Sequence, residues 1–291
     1  MKKILVTGGK GQLGNELQVI AKQYTNASFQ FIDIEELDIT DSLAVDDFIK
    51  TNPCDILIHT AAYTAVDKAE TDKENAHNVN VNALKNIALA SQKYNFFPIH
   101  ISTDYVFDGK NHKPYTENDA TQPLSVYGQT KLAGEHILLN TVNRCAIIRT
   151  SWLYSSFGHN FVKTMLRLSQ ERKELQVVYD QIGSPTYAAD LAETVLKIAF
   201  DNAKITKPTL YHYSNEGVCS WYDFAKEIMH YTQAQTDIHP IETKDYPTPA
   251  TRPYYSVLNK AKIKKDFHIS IPYWKDSLHL CLNTISNNKT L

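Results

Sequence analysis

Ile4-Leu5-Val6-Thr7-Gly8-Gly9-Lys10-Gly11-Gln12-Leu13-Gly14 carries a short apolar run straight into glycines spaced Gly8-x-x-Gly11-x-x-Gly14. The run reads as a strand and Leu13 to Tyr24 as a helix, so the glycines fall in a tight strand-to-helix turn. Glycine there permits positive φ, lets a phosphate approach the backbone with no Cβ in the way, and lets the helix pack close to the strand. The helix N-terminus offers free N–H groups and the positive end of its dipole to an anion. A tight turn with no ligand is the plain alternative. The placement, directly after a first strand and before a helix, favours a dinucleotide pyrophosphate held around Gly8, Gly11 and Gly14.

Moving outward, Phe29 to Asp33, Asp55 to Thr60, Pro98 to Ser102 and Cys145 to Arg149 read as further buried strands. Ser42 to Thr51, Asn75 to Tyr94 and Val126 to Leu139 carry helical periodicity between them. Strict alternation of this kind predicts an α/β fold, a Rossmann-type doubly wound parallel sheet joined by right-handed crossovers. Beyond about Thr150 the regularity fades into helices over Asn160 to Gln170, Tyr187 to Phe200 and Ser220 to Tyr231, an apolar pair at Val177-Val178, a strand near Tyr211 to Ser214 and a proline-rich stretch from Pro240 to Pro253. The expected division is a dinucleotide-binding domain over 1–152 with 185–214 returning to it. Residues 153–184 and 215–291 would form a smaller α/β substrate-binding lobe, with the Asn-rich end from Asn283 as a frayed tail.

A length of 291 residues and a 43% apolar content allow a sizeable core, and a formal charge of -2 leaves no basic stripe for nucleic-acid phosphates. No nucleic-acid partner is expected. Cys54, Cys145, Cys219 and Cys281 lie far apart, with no spacing for zinc or for a disulfide framework, so no metal site is expected. Two lysines and a short apolar run at the N-terminus do not make a signal peptide or a membrane span, which points to the cytoplasm and to no membrane partner.

Asp33 ends the second strand about 20 residues beyond the glycines, where a carboxylate accepts hydrogen bonds from the adenosine ribose hydroxyls and favours NADH. Lys10, inside the glycine turn, offers an ammonium to the 2′-phosphate of NADPH. The two charges oppose each other, so both cofactors stay open.

Tyr127-Gly128-Gln129-Thr130-Lys131 sets a phenol and an ammonium four residues apart on one helix face. Tyrosine ionises near pH ~10, and a neighbouring ammonium would lower that value, making proton exchange with a carbonyl oxygen feasible. The spacing alone is weak in a chain with 17 tyrosines, and it recurs at Tyr222 and Lys226. Position decides for Tyr127 and Lys131, whose helix follows the strand ending in Ile101-Ser102-Thr103 at the carboxyl edge of the sheet, where such folds bind ligands.

Gly8-x-x-Gly11-x-x-Gly14, Ser102-Thr103-Asp104 and Tyr127-x-x-x-Lys131 together resemble the extended short-chain dehydrogenases/reductases. Ser102 to Gly109, Pro123 to Glu135, Ala61 to Glu70, Arg149 to Tyr154, Asp180 to Thr186 and Pro247 to Pro253 resemble one branch of that family, the dTDP-4-dehydrorhamnose reductases, over roughly residues 3 to 280. By that resemblance Gly11, Gln12 and Leu13 border the pyrophosphate, Asp38 and Ile39 the adenine, and Ala62, Tyr63 and Thr64 the sheet edge near the ribose. Lys131 also holds the nicotinamide ribose, and Asn80 supports the active-site helix. Thr103 supplies a hydroxyl to the reacting oxygen, while Asp104, Trp152, Asn160 and Arg252 touch the sugar nucleotide, Arg252 at its diphosphate. The plain readings are a core residue for Trp152 and a surface ion pair for Arg252.

Sugar 4,6-dehydratases of similar fold carry an Asp-Glu pair after the threonine, because expelling water needs an extra acid and base; here Asp104 is followed by Tyr105. The resemblance therefore implies an NAD(P)H-dependent reductase that converts dTDP-4-dehydro-L-rhamnose to dTDP-L-rhamnose, with a dTDP-sugar as substrate and a homodimer left open. Another nucleotide-sugar reductase or epimerase would share most of these contacts. A non-catalytic, cofactor-binding regulatory subunit is the alternative of another class, against which the intact Thr103, Tyr127 and Lys131 set argues.

Overall fold

Ile4 and Val6 face one side of their strand and Leu5 the other, and all three are buried, so the strand is covered on both faces. In the computed structural model, which describes residues 1–289, it is β1 (Lys2–Thr7). With β2 (Ala27–Ile32), β3 (Ile56–His59), β4 (Phe97–Thr103), β5 (Ala146–Thr150) and the strand Thr209–Tyr213 it forms one six-stranded sheet. The spatial order runs Thr209–Tyr213, β5, β4, β3, β1, β2, and all neighbours pair in parallel. The order turns back at β1, which pairs with β2 on one side and β3 on the other. The carboxyl ends of β1 and β3 therefore flank a crevice at the switch point of the sheet.

One face of the sheet packs Leu13, Leu17 and Ile20 of the helix Gln12–Ala21 and Leu191, Val195 and Ile198 of the helix Ala188–Phe200 on Ile4, Val6, Ile58 and Ile99. The other packs Val45 and Ile49, Leu84 and Ile87, and Leu138 on Leu5, Leu57 and Ile147. A separate core surrounds Tyr154, Val162, Met165, Phe224, Ile228, Trp274, Leu278 and Leu282. Around it lie the helices Phe161–Glu171, Trp221–Thr232 and Trp274–Lys289 and three two-stranded pairings, of which Glu174–Val178 with Asp237–Ile241 is the longest. Among the described residues no helix is long and apolar enough to cross a membrane.

Two expectations change. The helix expected over Asn75 to Tyr94 is interrupted by a π turn at Asn78–Asn82, between Lys73–His77 and Ala83–Tyr94. That turn carries Asn80, whose Oδ1 accepts from Tyr63 N–H at 2.9 Å and whose Nδ2 donates to Tyr63 O at 3.2 Å and Thr130 Oγ1 at 3.1 Å. The tail expected to fray from Asn283 instead continues the helix Trp274–Lys289, because Leu278, Cys281, Leu282 and Ile285 recur on one face and are buried. Residues 290 and 291 lie outside the described residues.

Candidate active site

The crevice opens into a cleft of about 870 Å³ lined at one end by Gly8, Lys10, Gly11, Gln12 and Leu13 and at the other by Thr103, Asp104, Tyr127, Lys131 and Trp152. At the first end Gly8 has φ +72°, and a Cβ there would lie 2.6 Å from Ala61 N. A Cβ on Gly14 would lie 2.2 Å from the Gly8 carbonyl oxygen. At Gly8 and Gly14 the turn is thus too tight for a side chain. Gly11 caps the following helix with no side-chain acceptor, leaving the first-turn N–H groups to other partners. Bare amides at a helix start suit a pyrophosphate, so the residues present fit a dinucleotide.

The second βα turn is built on charge. Asp33 lies just past β2, where its Oδ2 accepts from Lys10 N–H at 2.9 Å and its Oδ1 from Ile34 N–H at 2.9 Å. The Lys10 ammonium meets Glu35 Oε1 at 2.8 Å, both side chains being exposed. This pairing raises the Lys10 pKa and lowers that of Glu35. Glu35 was absent from the reading of the sequence, in which Lys10 stood opposed to Asp33 alone. Asp38 and Ile39 also line the cleft, Asp38 Oδ1 accepting from the Thr40 hydroxyl at 2.7 Å. Ala62 and Thr64 line it as well. Tyr63 does not: its phenol donates to Asp72 Oδ2 at 2.9 Å.

At the second end, Ser125 caps the helix Val126–Thr141 by accepting from Gly128 N–H at 3.2 Å, which fixes the first turn and Tyr127 with it. A Cβ on Gly128 would lie 2.3 Å from the Tyr105 carbonyl oxygen, so glycine lets the helix start close to the segment after β4. The Tyr105 ring stands edge-on to Tyr127, centroids 5.5 Å apart. Behind the helix, Arg149 forks onto Glu135 at 2.9 and 2.6 Å, and Ser102 donates to Glu135 Oε1 at 2.5 Å, all three being buried.

The expected lowering of the Tyr127 pKa by Lys131 is not what the structure contains. Burial pushes the phenol up to about 12, with the Thr103 hydroxyl beside it opposing and Asp104 adding to the rise. The Lys131 ammonium is turned to the Ile101 carbonyl oxygen at 2.8 Å and to His100 Nε2 at 3.2 Å, and burial pulls its own pKa down to about 8. Asp104, 3% exposed, accepts from Thr103 Oγ1 at 3.1 Å, and burial lifts the carboxyl to about 6 against the opposing Ser256 and Thr103 hydroxyls.

Trp152 adopts φ +48°, rare for a bulky residue, and stacks on Trp221 with centroids 3.7 Å apart over Gly183. It lines the cleft, so the core reading does not describe it fully. Two expected sugar-nucleotide contacts have other partners. Asn160 caps the helix Phe161–Glu171, accepting from Lys163 N–H at 3.1 Å and donating to Gln12 Oε1 at 3.0 Å, and so ties that helix to the glycine turn without lining the cleft. Arg252 donates to Asp67 Oδ2 at 2.6 Å, the ion pair of the plain reading, and also stands outside the cleft lining. Tyr222 and Lys226, the second copy of the tyrosine-lysine spacing, lie on the helix Trp221–Thr232 and do not line the cleft. Among the described residues no group of three His, Cys, Asp or Glu could hold a metal ion.

Residues 1–287 match the family described as RmlD substrate binding domain. A dTDP-4-dehydrorhamnose reductase of Aggregatibacter actinomycetemcomitans is 40% identical over 286 residues, covering 96% of this chain and 97% of that protein. The crystal structure of a dTDP-4-dehydrorhamnose reductase from Clostridium acetobutylicum superposes with a TM-score of 0.93 at 40% identity, over 98% of this chain and 99% of that one. The corresponding protein of Bacillus anthracis, solved in complex with NADP, gives 0.91 at 38% identity over 97% and 99%.

Proposed function

The chain belongs to the RmlD substrate binding domain family, and from that premise we propose that it reduces the C4 ketone of dTDP-4-dehydro-L-rhamnose to dTDP-L-rhamnose with NADH or NADPH. One observation carries the reading: a single cleft holds a glycine-rich turn at a helix start at one end and Thr103, Tyr127 and Lys131 at the other. We read residues 1–152 with 185–214 as the cofactor-binding part, and the remainder as the lobe that closes on the sugar nucleotide. The reaction belongs in the cytoplasm, in keeping with four free cysteines.

The backbone of Gly11, Gln12 and Leu13 would hold the pyrophosphate, Asp33 the adenosine ribose, and Lys131 the nicotinamide ribose. When bound, the reduced nicotinamide supplies a hydride to the carbonyl carbon. Tyr127 supplies the proton to the carbonyl oxygen. A phenol held near 12 is protonated at neutral pH, as a general acid must be, and it gives its proton up as negative charge gathers on the carbonyl oxygen during hydride transfer. Thr103, beside the phenol, donates a hydrogen bond to the same oxygen and steadies the charge that gathers there. The Asp104 carboxylate, in the cleft lining, would accept from a sugar hydroxyl, and Trp152 offers a face against which the sugar or base rests. With Tyr105 rather than a second carboxylate after Asp104, the site has the acid a reduction needs and lacks the adjoining pair a dehydration uses.

A panel of 4-keto sugars carried on dTDP, UDP and GDP, each offered with NADH and with NADPH, tests the reading. Turnover confined to the dTDP-linked 4-keto sugar is expected. Efficient turnover of a UDP or GDP sugar, with the dTDP sugar inert, would replace it by another nucleotide-sugar reductase.

A further inference from the structure

Beneath the cleft a line of buried polar side chains crosses three neighbouring strands of the sheet. Thr7 of β1 pairs in register with His59 of β3, and His59 pairs in register with His100 of β4. Thr7 Oγ1 and His59 Nδ1 are 2.7 Å apart, and the two imidazoles stack at 5.2 Å with 20° between planes. The line ends where His100 Nε2 meets the Lys131 ammonium. Both histidines are 1% exposed, and nothing in the reductase mechanism uses either. Burying two imidazoles side by side costs free energy that only their hydrogen bonds offset.

The hydrogen bonding fixes what that is. An ammonium has only donors, so His100 Nε2 must accept and the ring proton must sit on Nδ1. That Nδ1 is buried and has no partner, so the line cannot pass a proton onward. Burial and the facing charges hold both rings neutral, His59 near 3 and His100 well below its ordinary range. The groups that face Lys131 are the Ile101 carbonyl and His100 from β4, His59 from β3, and Tyr127 and Glu135 from its own helix. Of these Glu135 favours the ammonium but is already forked by Arg149. His100 and the Ile101 carbonyl are then the two groups that accept directly from the ammonium.

We propose that His100 is a positioning residue for Lys131, holding the ammonium in place beneath the cleft and setting how firmly that nitrogen keeps its proton. His59, locked by Thr7 and stacked on His100, keeps the His100 ring in the orientation that presents Nε2. The inference rests on Lys131 holding the cofactor ribose, and its consequence is a pH dependence of cofactor binding. Lys131 loses its proton as pH rises through about 8, so NADH affinity falls along an alkaline limb there. Removing the His100 acceptor destabilises the ammonium, lowers the Lys131 pKa and moves the limb to lower pH.

The test is direct calorimetry of NADH and of NADPH binding from pH 6 to 10, with the full chain, His100→Leu, His100→Asn and Lys131→Met. The limb should move down by roughly one pH unit in His100→Leu, the scale of one lost hydrogen bond to a charged group, and by less in His100→Asn, which keeps a side-chain acceptor. Lys131→Met should have no limb. A merely structural role would weaken binding equally at every pH and leave the limb where it was, which overturns the inference. If His100→Leu does not fold, His100→Asn carries the test, its limb either moving or staying. Failure of the wild type to bind either nicotinamide would overturn the reductase reading itself, whereas binding with an unmoved limb overturns only the role of His100.

Discussion

Replacing Tyr127 by phenylalanine removes one oxygen atom and, on this account, the proton donor. The ring keeps its packing edge-on to Tyr105, and Lys131 keeps its own partners at Ile101 and His100, so neither the helix nor the ribose contact depends on the phenol. The loss to stability is that of one neutral hydrogen-bonding group, about 1 kcal/mol, small against the ~5–15 kcal/mol typical of a folded domain. The loss to catalysis is that of a general acid, roughly 10²- to 10⁴-fold in kcat, equivalent to about 3–5 kcal/mol of barrier. Water can supply a proton in its place, which is why the loss is finite. The assay pairs kcat on the dTDP-4-keto sugar with NADH affinity measured by fluorescence. A kcat down at least about 100-fold with affinity within about twofold is expected. A kcat within tenfold of wild type would refute the assignment, and Tyr222→Phe, with the same spacing to a lysine but outside the cleft, should leave both quantities unchanged.

Lys131→Met is expected to lower turnover and cofactor affinity together, and unchanged NADH affinity in a titration would remove the ribose role. Glu35→Gln frees the Lys10 ammonium and should shift the NADPH to NADH ratio of kcat/KM toward NADPH, as Asp33→Ala should by removing a charge. Lys10→Ala should shift it toward NADH, each change being a few-fold because the pair is exposed, and three unmoved ratios would place ribose recognition elsewhere. Asp104 has a folded pKa near 6, above its ordinary value, so the folded state binds its proton more tightly than the unfolded chain does. The stability this gives is full below about pH 4 and is lost as pH rises through about 6. Asp104→Asn should therefore gain on the order of 1–3 kcal/mol in urea unfolding at pH 7.5 and nothing near pH 4, while raising KM for the sugar nucleotide, and an equal effect at both pH values would contradict the burial cause.

The sheet was legible because its strands are buried on both faces and read as unbroken apolar runs, as Ile4 to Val6 and Ile56 to Ile58 do. The glycine turn was legible because steric closeness to Ala61 and to the Gly8 carbonyl leaves glycine no substitute. Tyr127 was told from Tyr222 by the strand that precedes it, and only one of the two lines the cleft. Harder to read were groups whose meaning lies in contacts distant along the chain. Glu35 gains its role from Lys10, Trp152 from Trp221 and Gly183, and His100 from His59 and Lys131. The direction of the Tyr127 shift was misread because four-residue spacing places a lysine on the same face without saying which acceptor it will choose, and the Ile101 carbonyl and His100 hold it. The helix Trp274–Lys289 had a readable signal in Leu278, Cys281, Leu282 and Ile285, masked by the asparagines between and after them.

The central claim is that this cleft transfers a hydride to C4 of a dTDP-4-keto sugar while Tyr127 delivers the proton. It is tested most directly by incubating the purified chain with dTDP-4-dehydro-L-rhamnose and NADH or NADPH carrying deuterium at the transferable position. Loss of nicotinamide absorbance is followed, and the sugar product is read by NMR. The expected result is stoichiometric consumption of the reduced cofactor, with one deuterium at C4 of dTDP-L-rhamnose. Cofactor that stays reduced in the presence of the sugar, or a product without deuterium at C4, would contradict it.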